Sequence, residues 1–84
     1  MRYLVYILYS EELDRFYIGH TGESMNERLR KHLSAHSGHT SKAKDWILKY
    51  TETFDCKKQA YARELYLKKQ KSVKFILALI NSAG

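Results

Sequence analysis

A chain of 84 residues that is 44% hydrophobic and 29% charged has room for one small domain with a modest core, and none of its apolar runs approaches the roughly 20 residues needed to cross a bilayer. Its 15 lysines and arginines outnumber its 9 aspartates and glutamates, and the resulting net charge of +6 attracts polyanions, nucleic acid first among them. The single cysteine, Cys56, excludes an intrachain disulfide and leaves no spacing for structural zinc, so a semi-buried free thiol near a helix start is expected.

Met1 to Leu8 is too short and too rich in tyrosine for a signal peptide, so one domain over residues 1–84 and a cytoplasmic location are the expectation. Leu4 to Tyr9 is continuously apolar or aromatic, which predicts a strand buried on both faces. Ser10 to Asp14 is turn-like, and Arg15 to Ile18 resumes strand character, giving an antiparallel hairpin that Gly19 is expected to end. Ser24 and Glu27 have capping-box spacing, so a helix should start there, with Met25, Leu29 and Leu33 as its buried stripe.

Residues 36–42 have loop composition. Trp46, Leu48, Tyr50 and Phe54 alternate with polar residues and predict a third strand. Asp55 is placed to cap a helix from about Cys56 to Lys69, and Ser72 to cap a last one with Val73, Ile76, Leu77 and Ile80 on one face. The predicted order is ββαβαα, an α+β fold without repeat or linker.

The chemistry lies in a few residue types. Hydrolysing a phosphodiester needs a group that handles the attacking water, a cation for the developing charge and usually a metal. Tyr6 and Tyr17 fall on neighbouring strands of the hairpin; a phenol, with an ordinary pKa of about 10, positions water readily and abstracts a proton only where its surroundings favour the phenolate. Arg28 and His32, four residues apart, project from one helical face, the first a planar fork for phosphate oxygens and the second a proton carrier near neutral pH. Glu64 is a hard oxygen donor of the kind Mg²⁺ prefers, with water and phosphate filling the remaining positions.

Each residue also fits an ordinary place. Two of the seven tyrosines are as readily core, Arg28 and His32 a solvated helix face, and Glu64 the i,i+4 partner of Lys68. His20, His36 and His39 lack the fixed spacing of a zinc site.

Taken together, the residues resemble the GIY-YIG nuclease domain over essentially the whole chain. Leu4-Val5-Tyr6 stands where that family carries Gly-Ile-Tyr, with leucine for the glycine, and Tyr17-Ile18-Gly19 is its second motif unchanged. Arg28, His32 and Glu64 fall where the family has its arginine, its histidine or tyrosine and its metal-binding glutamate. The interval from Tyr17 to Arg28 is one residue longer than in excision-repair relatives, and an asparagine some members use has no match. Val5-Tyr6-Ile7-Leu8, Arg28-Leu29 with His32, and Lys71 to Ile76 look most like the small stand-alone bacterial members.

The resemblance implies a small three-stranded antiparallel sheet flanked by helices and a metal-dependent endonuclease acting on DNA. Tyr6 and Tyr17 would handle the water, Arg28 would stabilise the transition state, His32 would assist proton transfer, and Glu64 would hold a single Mg²⁺ or Mn²⁺. These five side chains are expected to converge on one concave surface. Branched, damaged or nonspecific DNA, a role in repair or recombination, and a protein partner supplying specificity are all compatible with a domain this small. Lys42, Lys44, Lys68, Lys69 and Lys71, with Lys57, Lys58 and Lys74, are candidate backbone contacts. A catalytically weak nucleic-acid-binding module of the same fold, and a protein-interaction domain with a tyrosine-rich surface, are the alternatives.

Overall fold

Val5, Tyr6, Ile7 and Leu8 have no solvent exposure at all, because the strand that carries them, β1 (Tyr3–Ser10), is the middle strand of the sheet. The computed structural model describes residues 2–34 and 44–82. β1 is followed by β2 (Arg15–Thr21), α1 (Met25–Ser34), β3 (Ile47–Phe54), α2 (Lys57–Gln70) and α3 (Val73–Ser82), the predicted α+β order. The sheet runs β2-β1-β3 with both pairings antiparallel. The loop expected at 36–42, with His36, His39 and Lys42, lies outside the described residues.

Strand alternation sorts the side chains onto two faces. Tyr6 and Leu8 pack with Tyr17, Leu48, Trp46 and the α1 stripe Met25, Leu29 and Leu33. Val5 faces the other way, with Ile18, Phe54, the α2 residues Ala60 and Leu67, and the α3 residues Phe75 and Leu79. One helix therefore covers the first face and two cover the second. Burying an aliphatic or aromatic side chain of this size contributes about 1.5–3 kcal/mol, so both layers are needed to hold a sheet this small.

Several local expectations are corrected. Gly19 does not end β2, which continues through His20 to Thr21. Its lack of a side chain serves packing, since a β-carbon there would lie 2.6 Å from the Tyr6 hydroxyl oxygen. The capping box at α1 is half formed: the Glu27 amide donates to Ser24 Oγ, but the Glu27 carboxylate turns to Arg30. Cys56, rather than Asp55, is the N-cap of α2 and gives no side-chain cap, and its thiol is exposed. At α3, Ser72 Oγ caps the Phe75 amide as expected. Its buried face is Phe75, Ile76 and Leu79, while Val73 and Leu77 point to solvent.

β3 carries a hidden switch. Ile7 pairs with Tyr50 but Leu8 with Leu48, so Lys49 is an extra residue in the ladder. The bulge sends Leu48 to the α1 face and leaves Tyr50, Glu52 and Phe54 on the α2 face. There Glu52 accepts two hydrogen bonds from Arg63 of α2, at 2.9 and 3.0 Å, and a third from the Tyr50 hydroxyl. Burial, and then that carboxylate, push the Tyr50 phenol up to about 12.

Candidate active site

Tyr6 projects from the central strand toward α1, where its hydroxyl meets two α1 side chains one turn apart. Arg28 Nε donates to Tyr6 Oη at 3.1 Å, and Tyr6 Oη lies 2.8 Å from His32 Nε2. Because the phenol oxygen accepts from Arg28, its own proton is directed to His32 Nε2, which fits a neutral imidazole protonated on Nδ1. Burial, then the nearby Arg28 charge, holds His32 below its ordinary 6.5. Burial also raises the Tyr6 phenol above 10; Arg28 opposes that rise, and the Tyr17 and Glu64 charges add to it. The hydrogen bond to Tyr6 keeps Arg28 firmly charged.

Tyr17 completes the group. Its ring centre is 5.0 Å from that of His32 and 6.3 Å from those of Tyr6 and Trp46. Tyr17 is partly exposed and also lines a groove of about 680 Å³ between β2 and the α2–α3 junction, with Arg15, Lys68 and Lys71. Tyr6, in contrast, is completely buried. Tyr17 and Arg28 are the partly exposed members of the group, with Tyr6 and His32 buried behind them.

Glu64 comes from the other layer of the fold and makes no hydrogen bond to Tyr6, Tyr17, Arg28 or His32 among the described contacts. It belongs to α2 and packs against the other face of the sheet, where His20 Nδ1 lies 2.7 Å from its Oε1 and Lys68 Nζ donates to its Oε2 at 2.8 Å. Glu64 is nevertheless 8% exposed and close enough for its charge to act on Tyr6. The two halves adjoin along β2: Gly19 lies beneath the Tyr6 ring, and the next residue, His20, holds Glu64. Sequence reasoning missed His20 as the partner of Glu64; the signal was its place after Gly19, one strand position out of phase with Tyr17. Lys44, Lys69 and Lys71 are exposed, as is Lys68 apart from its ion pair with Glu64.

Among the described residues, no group of three or more His, Cys, Asp or Glu side chains forms a ready-made metal cage. The donor set available is one carboxylate, which matches the habit of Mg²⁺ to keep most of its water and to share the rest with phosphate. No helix among the described residues is long and apolar enough to cross a membrane.

A basic α+β domain with two tyrosines, an arginine and a histidine in mutual contact beneath one helix has the parts of a nuclease-type site. The family model described as the GIY-YIG catalytic domain matches residues 2–75, and the chain belongs to this family of endonucleases, whose members generally use divalent metal ions and whose substrate is DNA. No curated protein and no solved structure matches the chain.

Proposed function

We propose that this domain hydrolyses phosphodiester bonds in DNA with the help of one divalent ion. The observation that carries this reading is the Arg28–Tyr6–His32 chain of hydrogen bonds, a cation and a proton acceptor joined through one buried phenol. In it Arg28 meets the phosphate oxygens, and Tyr17, exposed beside His32, orients the attacking water. Neutral His32, buried behind Tyr17, is placed to take up a proton relayed through the Tyr6 hydroxyl to its Nε2. Tyr6 fixes both partners rather than touching water itself. Glu64 would hold the Mg²⁺ or Mn²⁺, which would neutralise charge on the phosphate; the half-exposed Lys68 ammonium can turn to solvent to make room for it.

The groove bordered by Arg15, Lys68 and Lys71 supports a path for the DNA backbone. Substrate choice, whether for branched or damaged DNA, and any protein partner belong to the same proposal. One observation favours the alternative of a weakly catalytic binding module: both Glu64 oxygens already have side-chain partners. Incubation of nicked, flapped, branched and paired DNA with Mg²⁺ or Mn²⁺ separates the two. Product that disappears in Arg28→Ala and Glu64→Ala supports the enzyme, whereas binding without product, or cleavage indifferent to both variants, overturns it.

A further inference from the structure

A second cleft adjoins the Glu64 half of the site. It measures about 630 Å³, and its walls are His20, Lys57, Lys58 and Tyr61. The His20 and Tyr61 ring centres are 5.4 Å apart at an interplanar angle of 59°. Tyr61 is 50% exposed, a large aromatic area with nothing described over its outer side. Lys57 and Lys58 are exposed and, among the described residues, make no ion pair, and the first turn of α2 contains no acidic residue to offset them.

Flat rings beside two unneutralised ammonium groups match a ligand with a planar apolar part and an anionic part in covalent reach of each other. A free anion would leave the rings unexplained, and an apolar peptide would strand the lysines. A nucleotide satisfies both, its base on Tyr61 and its phosphate on the lysines. A base inside a duplex has both faces covered by its neighbours, so only an unpaired one can use the ring. The His20 ring that borders the cleft is also hydrogen-bonded to Glu64.

We propose that this cleft is a subsite for one unpaired nucleotide, which it seats beside the carboxylate of Glu64. The location beside a cleavage centre rests on the nuclease reading above; the binding itself does not.

The test uses the full chain in EDTA and a DNA duplex with 2-aminopurine at one position, either bulged out or paired. Stacking on Tyr61 quenches the bulged probe and makes it bind at least roughly fivefold more tightly than the paired one. Tyr61→Ala and the double substitution Lys57→Ala with Lys58→Ala reduce that ratio toward one, while Tyr61→Phe, which keeps the ring, restores it. Circular dichroism of each variant establishes that it is folded. Equal affinity for both probes, or quenching that survives Tyr61→Ala, overturns the subsite. Quenching without cleavage by any divalent ion keeps the subsite and removes the nuclease reading, and cleavage without quenching does the reverse.

Discussion

Tyr6 and Gly19 face each other across the β1–β2 ladder, and the Tyr6 ring occupies the space a β-carbon on Gly19 would need. The glycine of the second motif thus serves the tyrosine of the first. It lets a large ring lie flat against the strand, so that its hydroxyl reaches Arg28 and His32.

Gly19→Ala would place a methyl group 2.6 Å from the Tyr6 oxygen and 2.7 Å from the ring carbon that bears it. The ring is fully buried and cannot swing aside freely. Denaturant unfolding is expected to show a loss of about 1–3 kcal/mol, the usual cost of overpacking, together with a fall in DNA cleavage. A variant as stable and active as the parent would contradict this packing.

Tyr6→Phe keeps the ring and removes the shared hydroxyl. Buried His32 loses the Tyr6 hydroxyl at Nε2, and Arg28 Nε loses its acceptor on Tyr6. A stability loss of about 1–2 kcal/mol is expected, with cleavage down by about a hundredfold or more. Single-turnover kinetics under saturating protein distinguish this chemical defect from weaker binding.

His32 makes stability depend on pH. Its folded-state pKa lies below the ordinary 6.5, so the unfolded chain binds the proton more readily. The contribution is therefore present above about 6.5 and is lost as pH falls through the lower, folded value. Arg28, on the same helix, and the Tyr6 and Tyr17 rings, from the sheet, surround the imidazole. Unfolding midpoints at pH 7 and pH 5 should differ more for the parent than for His32→Gln; an equal difference would show that the imidazole is not responsible.

Glu64→Gln and Lys68→Ala test the carboxylate from two sides. The first is expected to abolish binding of Mn²⁺ measured by calorimetry or paramagnetic relaxation. The second removes the half-exposed ammonium from the buried carboxylate and frees one oxygen, so Mn²⁺ affinity should hold or rise. Loss of Mn²⁺ in Lys68→Ala but not in Glu64→Gln would reject Glu64 as the ligand.

DNA affinity should fall steeply with salt, with a log–log slope of about 0.9 for each phosphate neutralised. Lys69→Ala and Lys71→Ala should each lower that slope by about one if the residue contacts a phosphate. Filter binding between about 50 and 200 mM salt reads this directly.

Element order and type were legible because each signal was local. A six-residue apolar and aromatic run followed at once by a turn-like segment reads as a doubly covered strand, and Ser72 before an apolar period marks a helix start. The placement of Glu64 was not legible, since helical spacing shows which residues share a face but not against which side of the sheet that face packs. The switch at Lys49 was hidden for a related reason: Leu48, Tyr50 and Phe54 keep their alternation in sequence while the bulge moves Leu48 to the other side. Hairpin pairing and the i,i+4 repeat made Tyr6 with Tyr17 and Arg28 with His32 legible as two local pairs, while only the family resemblance put the two pairs together, because the contacts that join them span 22 and 26 residues.

The sheet that parts Glu64 from Arg28 also joins them. One half of the site is packed on Gly19 and the other is held by His20, so two adjacent residues of β2 link them rather than a contact of one helix on another. A substitution that shifts α2 would weaken the hold on a cation while leaving the phenol and guanidinium aligned, and one that shifts α1 would do the opposite. Damage to either helix should therefore show up as a selective defect, and only damage to the two adjacent residues on β2 should disable both halves at once.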